Sequence, residues 1–130
     1  MISETTACRE GALSGRLTFL NTGSGTAYVR VYGDGRPASV NDAPGTALLV
    51  QIPLTNPAGS VAAGALTLTA SDTGLIANTG IATWVRVVNR NGDTAFDMDA
   101  GVVGGGAECE LSEVNLFAGG LVALVSAVLQ

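Results

Sequence analysis

Asp93, Asp97 and Asp99 form the densest carboxylate cluster in this 130-residue chain. Such clusters supply the oxygen ligands Ca²⁺ takes, or the paired acids of a glycosidase. Their spacing is not that of an EF-hand loop. Arg86 and Arg90 face two of the three aspartates once the segment is folded as a hairpin, so ion pairing is the favoured reading over a metal site. A glycosidase pair would need an aromatic platform, and the chain has three Phe, two Tyr and one Trp in all. Histidine is absent and all six cations are Arg. Ser–His and Cys–His nucleophiles, most zinc sites and a lysine phosphate loop are thereby excluded. Gly101–Gly106 (GVVGGG) reads as a flexible connection. Cys8 and Cys109 make no disulfide framework and read as ordinary thiols. No catalytic residue, metal ligand or cofactor site is expected.

The element that must position the aspartates is Ile81–Gly101. Asn91-Gly92 is a strong two-residue turn signal, because both central positions of a type I′ turn need φ > 0. Centring the turn there pairs Arg90 with Asp93, Val88 with Ala95, Arg86 with Asp97 and Trp84 with Asp99. The other face pairs Asn89 with Thr94, Val87 with Phe96, Val85 with Met98 and Thr83 with Ala100. One register sorts an apolar face from a face with two Arg–Asp rungs, and a one-residue slip would bury those charges. Trp84 beside Arg86 on the charged face suits a protein interface. Tyr28 and Tyr32 share a face of another strand. With Trp84 they are candidates for a sugar-binding surface, packing against neighbours being the favoured alternative.

Elsewhere the pattern is β. Thr26–Tyr32 alternates, with Ala27, Val29 and Val31 on one face. Thr46–Ile52 is apolar on both faces and is expected to end at Pro53 and Pro57. Ala65–Ala70 alternates Leu with Thr, and Ser71–Gly80 reads as turns. Glu108–Glu113 reads as an edge strand. The last segment, Leu121–Leu129, is apolar on both faces, which requires a central place in a sheet or a covering subunit. Residues 1–15 form an irregular or short helical segment, possibly an arm, capped at Ser3, Thr5 or Thr6 and stopped at Gly11 or Gly15. Arg16–Leu20 reads as a short strand. Seven or eight short strands predict an all-β chain, a β-sandwich or barrel, with a single jelly-roll-like β-sandwich over residues 1–130 as the first choice.

Composition narrows the function classes. The net charge of −5, carried without Lys, argues against nucleic acid as a partner. The N-terminal residues, with Glu4 and Glu10, do not read as a secretory signal, and Leu116–Leu129 is too short to span a bilayer. Charged residues are 13% of the chain and apolar ones 47%, against about 25% charged in an ordinary domain. So little charge leaves apolar area to meet another protein.

Three stretches carry a family likeness. They are Val29-Arg30-Val31-Tyr32 with Gly35-Arg36-Pro37-Ala38 and Gly45-Thr46-Ala47-Leu48-Leu49; the hairpin Ala82-Thr83-Trp84-Val85-Arg86-Val87 with Asn91-Gly92 and Asp97; and Ala118-Gly119-Gly120-Leu121-Val122. In these the chain resembles a family of small β-rich proteins encoded among the virion structural genes of tailed bacteriophages. Val85, where the family leads one to expect an aromatic, and the final Gln130 in place of Pro are departures. The resemblance implies a non-enzymatic virion protein assembled in the host cytoplasm. The expectation is a cement or decoration protein on the head surface, with the major capsid protein and its own copies as partners. Neck, tail or fibre proteins are the alternative within the virion, and a carbohydrate-binding adhesin the alternative outside that class. The contacts expected are Tyr32, Trp84 and Arg86 toward a partner, and Leu121, Val122, Leu124 and Val128 toward a second copy.

Overall fold

The computed structural model describes residues 3–130, so the first two residues of the expected N-terminal segment lie outside the described residues. It contains helix α1 (Thr6–Leu20) and strands β1 (Tyr28–Tyr32), β2 (Val50–Ala62), β3 (Ala65–Ala70), β4 (Gly74–Leu75), β5 (Gly80–Ile81) and β6 (Trp84–Val88). There follow β7 (Thr94–Val102), β8 (Cys109–Leu111), β9 (Asn115–Leu116), β10 (Leu121–Val122) and β11 (Leu124–Leu129). The chain is mostly β, as its alternation predicts. Seven strands close into a barrel in the order β1-β2-β3-β11-β8-β7-β6. The expected jelly-roll-like sandwich is therefore not confirmed: one hydrogen-bonded ladder runs around the circuit. Closure leaves no long free edge.

The N-terminal segment is a docked helix. Thr5 caps it, its hydroxyl accepting from the Cys8 amide at 3.1 Å. Gly11 and Gly15 do not stop the helix, and Arg16–Leu20 is its last part instead of a strand. Leu13, Leu17 and Leu20 recur at helical spacing; Leu13 and Leu20 are fully buried and Leu17 packs on the core. Burying a leucine contributes roughly 1.5–3 kcal/mol, against about 1 kcal/mol for each glycine in a helix. Asn21 Oδ1 accepts from the Ala58 amide and Glu10 Oε2 from the Gly64 amide, both at 2.9 Å. The helix is thus tied at both ends to the β2–β3 hairpin, whose turn at Ala63-Gly64 has φ of 53° and 76°.

β2 runs through Pro53 and Pro57, which were expected to end it. Pro53 sits opposite Tyr28, and the three extra residues between the Leu54–Ala70 and Gly59–Leu68 pairs place Pro57 in a bulge where no ladder amide is needed.

The central hairpin keeps four of its expected rungs: Trp84–Asp99, Val85–Met98, Arg86–Asp97 and Val87–Phe96. Nearer the turn the register shifts by one, and Val88 faces Thr94. The Asn89 amide donates to the Asp93 carbonyl and the Gly92 amide to the Asn89 carbonyl, while only Gly92 has positive φ (86°). This is a three-residue turn with a glycine bulge in place of the two-residue type I′ turn. Asn89 is buried inside it, its Oδ1 accepting from the amides of Asn91 and Asp93. Arg90 consequently leaves Asp93 and donates to the carbonyls of Gly25 and Asn21.

β8 is not an edge: it pairs with β11 on one side and, in parallel, with β7 on the other. The return from β7 is compact, with the Gly104 and Gly106 amides donating to Glu110 Oε2. The C-terminal stretch divides at Ala123 into β10, paired with β4, and β11, held between β3 and β8. Ala127 and Leu129 of β11 are buried in the core, whereas Val125 is 50% exposed, so its two apolar faces are only partly covered within the chain.

Candidate interaction surface

The outer face of β6 was expected to meet a partner, and the fold covers it instead. Tyr32, Trp84 and Arg86 retain 7%, 1% and 6% of their accessible surface. Tyr32 and Trp84 stack with ring centroids 4.7 Å apart and planes at 18°. The Arg86 guanidinium carbon lies 5.4 Å from the centre of the Trp84 ring, a cation–π arrangement. The long loop from 33 to 49 closes over this face. Its Gly33 carbonyl accepts from Trp84 Nε1 at 3.2 Å, its Asp42 carbonyl from Arg86 Nη1 at 2.7 Å, and its Asp34 carbonyl from the Thr83 hydroxyl. These three side chains anchor the loop; they are not a free contact surface, nor an exposed platform on which a sugar could stack.

Asp97 takes two hydrogen bonds from Arg86, Nε to Oδ1 at 2.8 Å and Nη2 to Oδ2 at 3.0 Å. Hydrogen bonding to Asp97, partly opposed by burial, holds the Arg86 guanidinium above its ordinary pKa. Asp99 is exposed and lies 3.6 Å from Arg36. Among the described residues, no group of three acidic, His or Cys side chains is arranged to hold a metal ion. Cys8 is exposed and Cys109 buried, both free.

Of the segment expected to join two copies, Leu121–Leu129, Leu121 and Val125 lie at the surface, 67% and 50% exposed. Val122 is fully buried, Leu124 packs on the core and Val128 is half-buried. Leu124 and Val128 lie in β11, paired on both edges within the barrel, and Leu121 and Val122 lie in β10, paired with β4.

The four most exposed large apolar side chains lie in residues 74–81 and 115–122, the first of which reads as turns from sequence. These segments form a discontinuous antiparallel ribbon of two separate two-stranded sheets, β4–β10, in which Gly74 faces Val122 and Leu75 Leu121, and β5–β9, in which Gly80 faces Leu116 and Ile81 Asn115, with a turn at 117–120 between them. Ile76 links the two paired ends, donating to the Gly120 carbonyl and accepting from the Gly119 amide, both at 2.9 Å. In the middle the ribbon opens, where Ala77 and Asn78 donate to the Leu49 carbonyl. Side chains alternate between faces with period two. The even-numbered ones, Ile76, Leu116 and Val122, are buried in the core. The odd-numbered ones face outward: Leu75 65% exposed, Ile81 59%, Phe117 68% and Leu121 67%. Ile81 and Phe117 border one shallow depression.

An ordinary ribbon with one wet face is polar on that face. Here it is apolar, and Thr73–Thr83 and Val114–Gln130 contain no charged residue at all. That absence of charge was the signal available in the sequence. Leu75, Ile81 and Phe117 were missed because the ribbon's two segments are distant in sequence and neither reads as a strand alone.

A second concavity, an open groove of about 700 Å³, lies between α1 and β7, bordered by Arg16, Phe19, Phe96 and Leu129. Among the described residues no helix is long and apolar enough to cross a membrane. No family model, no curated protein and no solved structure matches this chain.

Proposed function

We propose that this chain is a non-enzymatic structural protein of a tailed-phage virion, a cement or decoration protein that binds neighbouring major capsid subunits on the head surface. The observation that carries the reading is the outward face of the 74–81/115–122 ribbon. It presents four large apolar side chains, held on a closed barrel by core residues at alternate positions. Large apolar side chains left this exposed are of the kind that marks protein contacts. The sequence likeness to small virion proteins supplies the setting, and the low charge content is consistent with a protein that works by covering surface.

A cement protein acts by number: each copy adds interface area across a junction between capsid subunits, and many copies together resist the pressure of the packaged genome. The test is quantitative mass spectrometry of purified particles combined with localisation in reconstructed heads. Hundreds of copies on the head surface, and heads that rupture more readily when the gene is deleted, are the expected results. A handful of copies confined to the neck, tail or fibres would overturn the cement role and support the other virion reading.

A further inference from the structure

We infer that residues 33–47 form a strap that lifts as a unit while the barrel beneath it stays folded, uncovering the face that carries Tyr32, Trp84 and Arg86. Such a cover belongs to this fold whatever partner the 74–81/115–122 ribbon meets. Three features set the strap apart from the barrel.

The first is attachment. The strap joins β1 to β2, antiparallel neighbours in which Val31 faces Val50 and the Leu49 amide donates to the Val31 carbonyl at 2.9 Å. Neighbours of this kind need only about two to five residues to connect them, far fewer than lie between Tyr32 and Val50. The chain is clamped again just after the strap: Asn78 Nδ2 donates to the Leu48 carbonyl at 2.7 Å, and Leu49 is buried. The ladder therefore runs past the strap, and lifting it leaves the rungs of β1, β2 and β6 in place.

The second is burial, which runs one way. Tyr32, Trp84 and Arg86 are sealed beneath the strap, yet residues 33–47 are themselves all exposed or half-buried. Their hold on the barrel is polar. The carbonyls of Gly33, Asp34 and Asp42 accept from Trp84, Thr83 and Arg86, and Arg36 meets Asp99 where both are exposed. The Asp42 amide is spent within the strap, on the Ser39 carbonyl. Water can take the place of each of these partners. Segments with few buried apolar contacts and solvent-exposed hydrogen bonds open at a lower free energy than the whole domain. Uncovering the Trp84 ring opposes this, so the lifted form is a minor one at equilibrium.

The third is what lifting does to charge and strain. Asp97, on the neighbouring strand, keeps both its hydrogen bonds to Arg86 whether the strap is down or up, and only the Nη1 contact passes to water. No ion is orphaned. Asp34 is held at φ 59°, a left-handed conformation that costs an L-residue energy and persists only where its surroundings impose it. Lifting relieves that strain. Down, the strap's own carbonyls occupy the donors of Thr83, Trp84 and Arg86. Up, the face offers a stacked Tyr32–Trp84 pair and an arginine, residue types that dominate contacts between proteins.

The test is native-state hydrogen exchange read by NMR, for which the chain's one tryptophan supplies a single indole signal. The Trp84 Nε1 proton, bonded to the Gly33 carbonyl at 3.2 Å, reports the strap, and the backbone amides of β1 and β6 report the barrel. The indole proton should exchange faster than those amides, and urea should speed it with a shallower slope, because lifting exposes less surface than unfolding. Thr83→Val and Arg36→Gln each remove one tether at an exposed residue. T83V should speed indole exchange roughly two- to tenfold, and R36Q less, with the barrel amides unchanged. Limited proteolysis of native protein gives a second readout. Cuts should fall within 33–47, and the nicked protein should keep one cooperative melt while acrylamide begins to quench Trp84. Indole exchange that matches the barrel amides in rate and urea slope, or that ignores T83V, would overturn the inference. So would a nicked protein that has lost its cooperative melt or still shields Trp84.

Discussion

Replacing Asp97 with Asn tests the account of the hairpin most directly. Arg86 and Asp97 are 7% and 8% exposed at the side chain, and the pair is bidentate. The substitution keeps the shape but takes from the guanidinium, under the loop from 33 to 49, the one carboxylate it hydrogen-bonds, leaving only the weaker influence of Asp42. Removing one partner of a buried pair costs about 3–5 kcal/mol, whereas an exposed pair is worth about 0–1 kcal/mol. With an unfolding entropy of about 2.1 cal/mol/K per residue, a chain of 130 residues loses about 4 °C for each kcal/mol. D97N should therefore melt roughly 11–18 °C below the parent. Thermal and urea unfolding followed by circular dichroism give the stability. The near-ultraviolet band of Trp84, stacked on Tyr32 and beside Arg86, reports the same site locally. The double variant R86M/D97L removes both charges and should recover most of the loss, because the cost lies in the orphaned ion. A drop of less than about 4 °C in D97N, the size expected of an exposed pair, would refute the reasoning. So would a double variant as unstable as the single one.

Other consequences can be measured on the same protein. Burial pushes the Cys109 thiol from its ordinary 9.0 up to about 12, with Glu108 and Glu110 adding to the shift. Between those values the folded state keeps a proton that the unfolded chain has lost, so stability falls as pH rises, by at most about 1.4 kcal/mol per pH unit. Urea titrations across that window should show a shallower slope in Cys109→Ala, and an unchanged slope would count against a buried thiol. In native protein at neutral pH, Cys8 should alkylate and Cys109 should react only in denaturant, which mass spectrometry reads directly. Ending the chain at Gly120 removes β11 with the buried Ala127 and Leu129; the product should lack a cooperative melt. A Cβ at Gly59 would stand 2.1 Å from the Thr67 carbonyl oxygen, so G59A should separate β2 from β3 and lower the melting temperature. Leu13→Ala, beneath α1, should cost about 2–5 kcal/mol in denaturant unfolding.

How far the fold was legible differs from element to element. The β6–β7 rungs from Trp84 to Val87 were readable because a slip would turn Val85 and Val87 out of the core and part Arg86 from Asp97. The turn was misread because Asn91-Gly92 satisfies two turn types, and the choice fell to Asn89, whose buried side chain ties down the amides of Asn91 and Asp93. The strand faces of β1 and β3 followed their alternation. Helix α1 did not follow its glycines, since the leucines beneath it are stabilised by strands more than thirty residues away.

The contact residues show the same division. By its own pattern the sequence determined that this chain is β-rich, that Arg86 meets Asp97, and that too little charge is present to keep apolar side chains off the surface. Tertiary structure decided where that surface lies. It closed the ladder into a barrel, which paired β11 on both edges. It folded the loop from 33 to 49 over Tyr32, Trp84 and Arg86, and it paired two charge-free segments some forty residues apart into a ribbon with Leu75, Ile81, Phe117 and Leu121 outward. Local periodicity fixes which side chains share a face of a strand, but which face stays wet depends on what distant chain comes to lie on it.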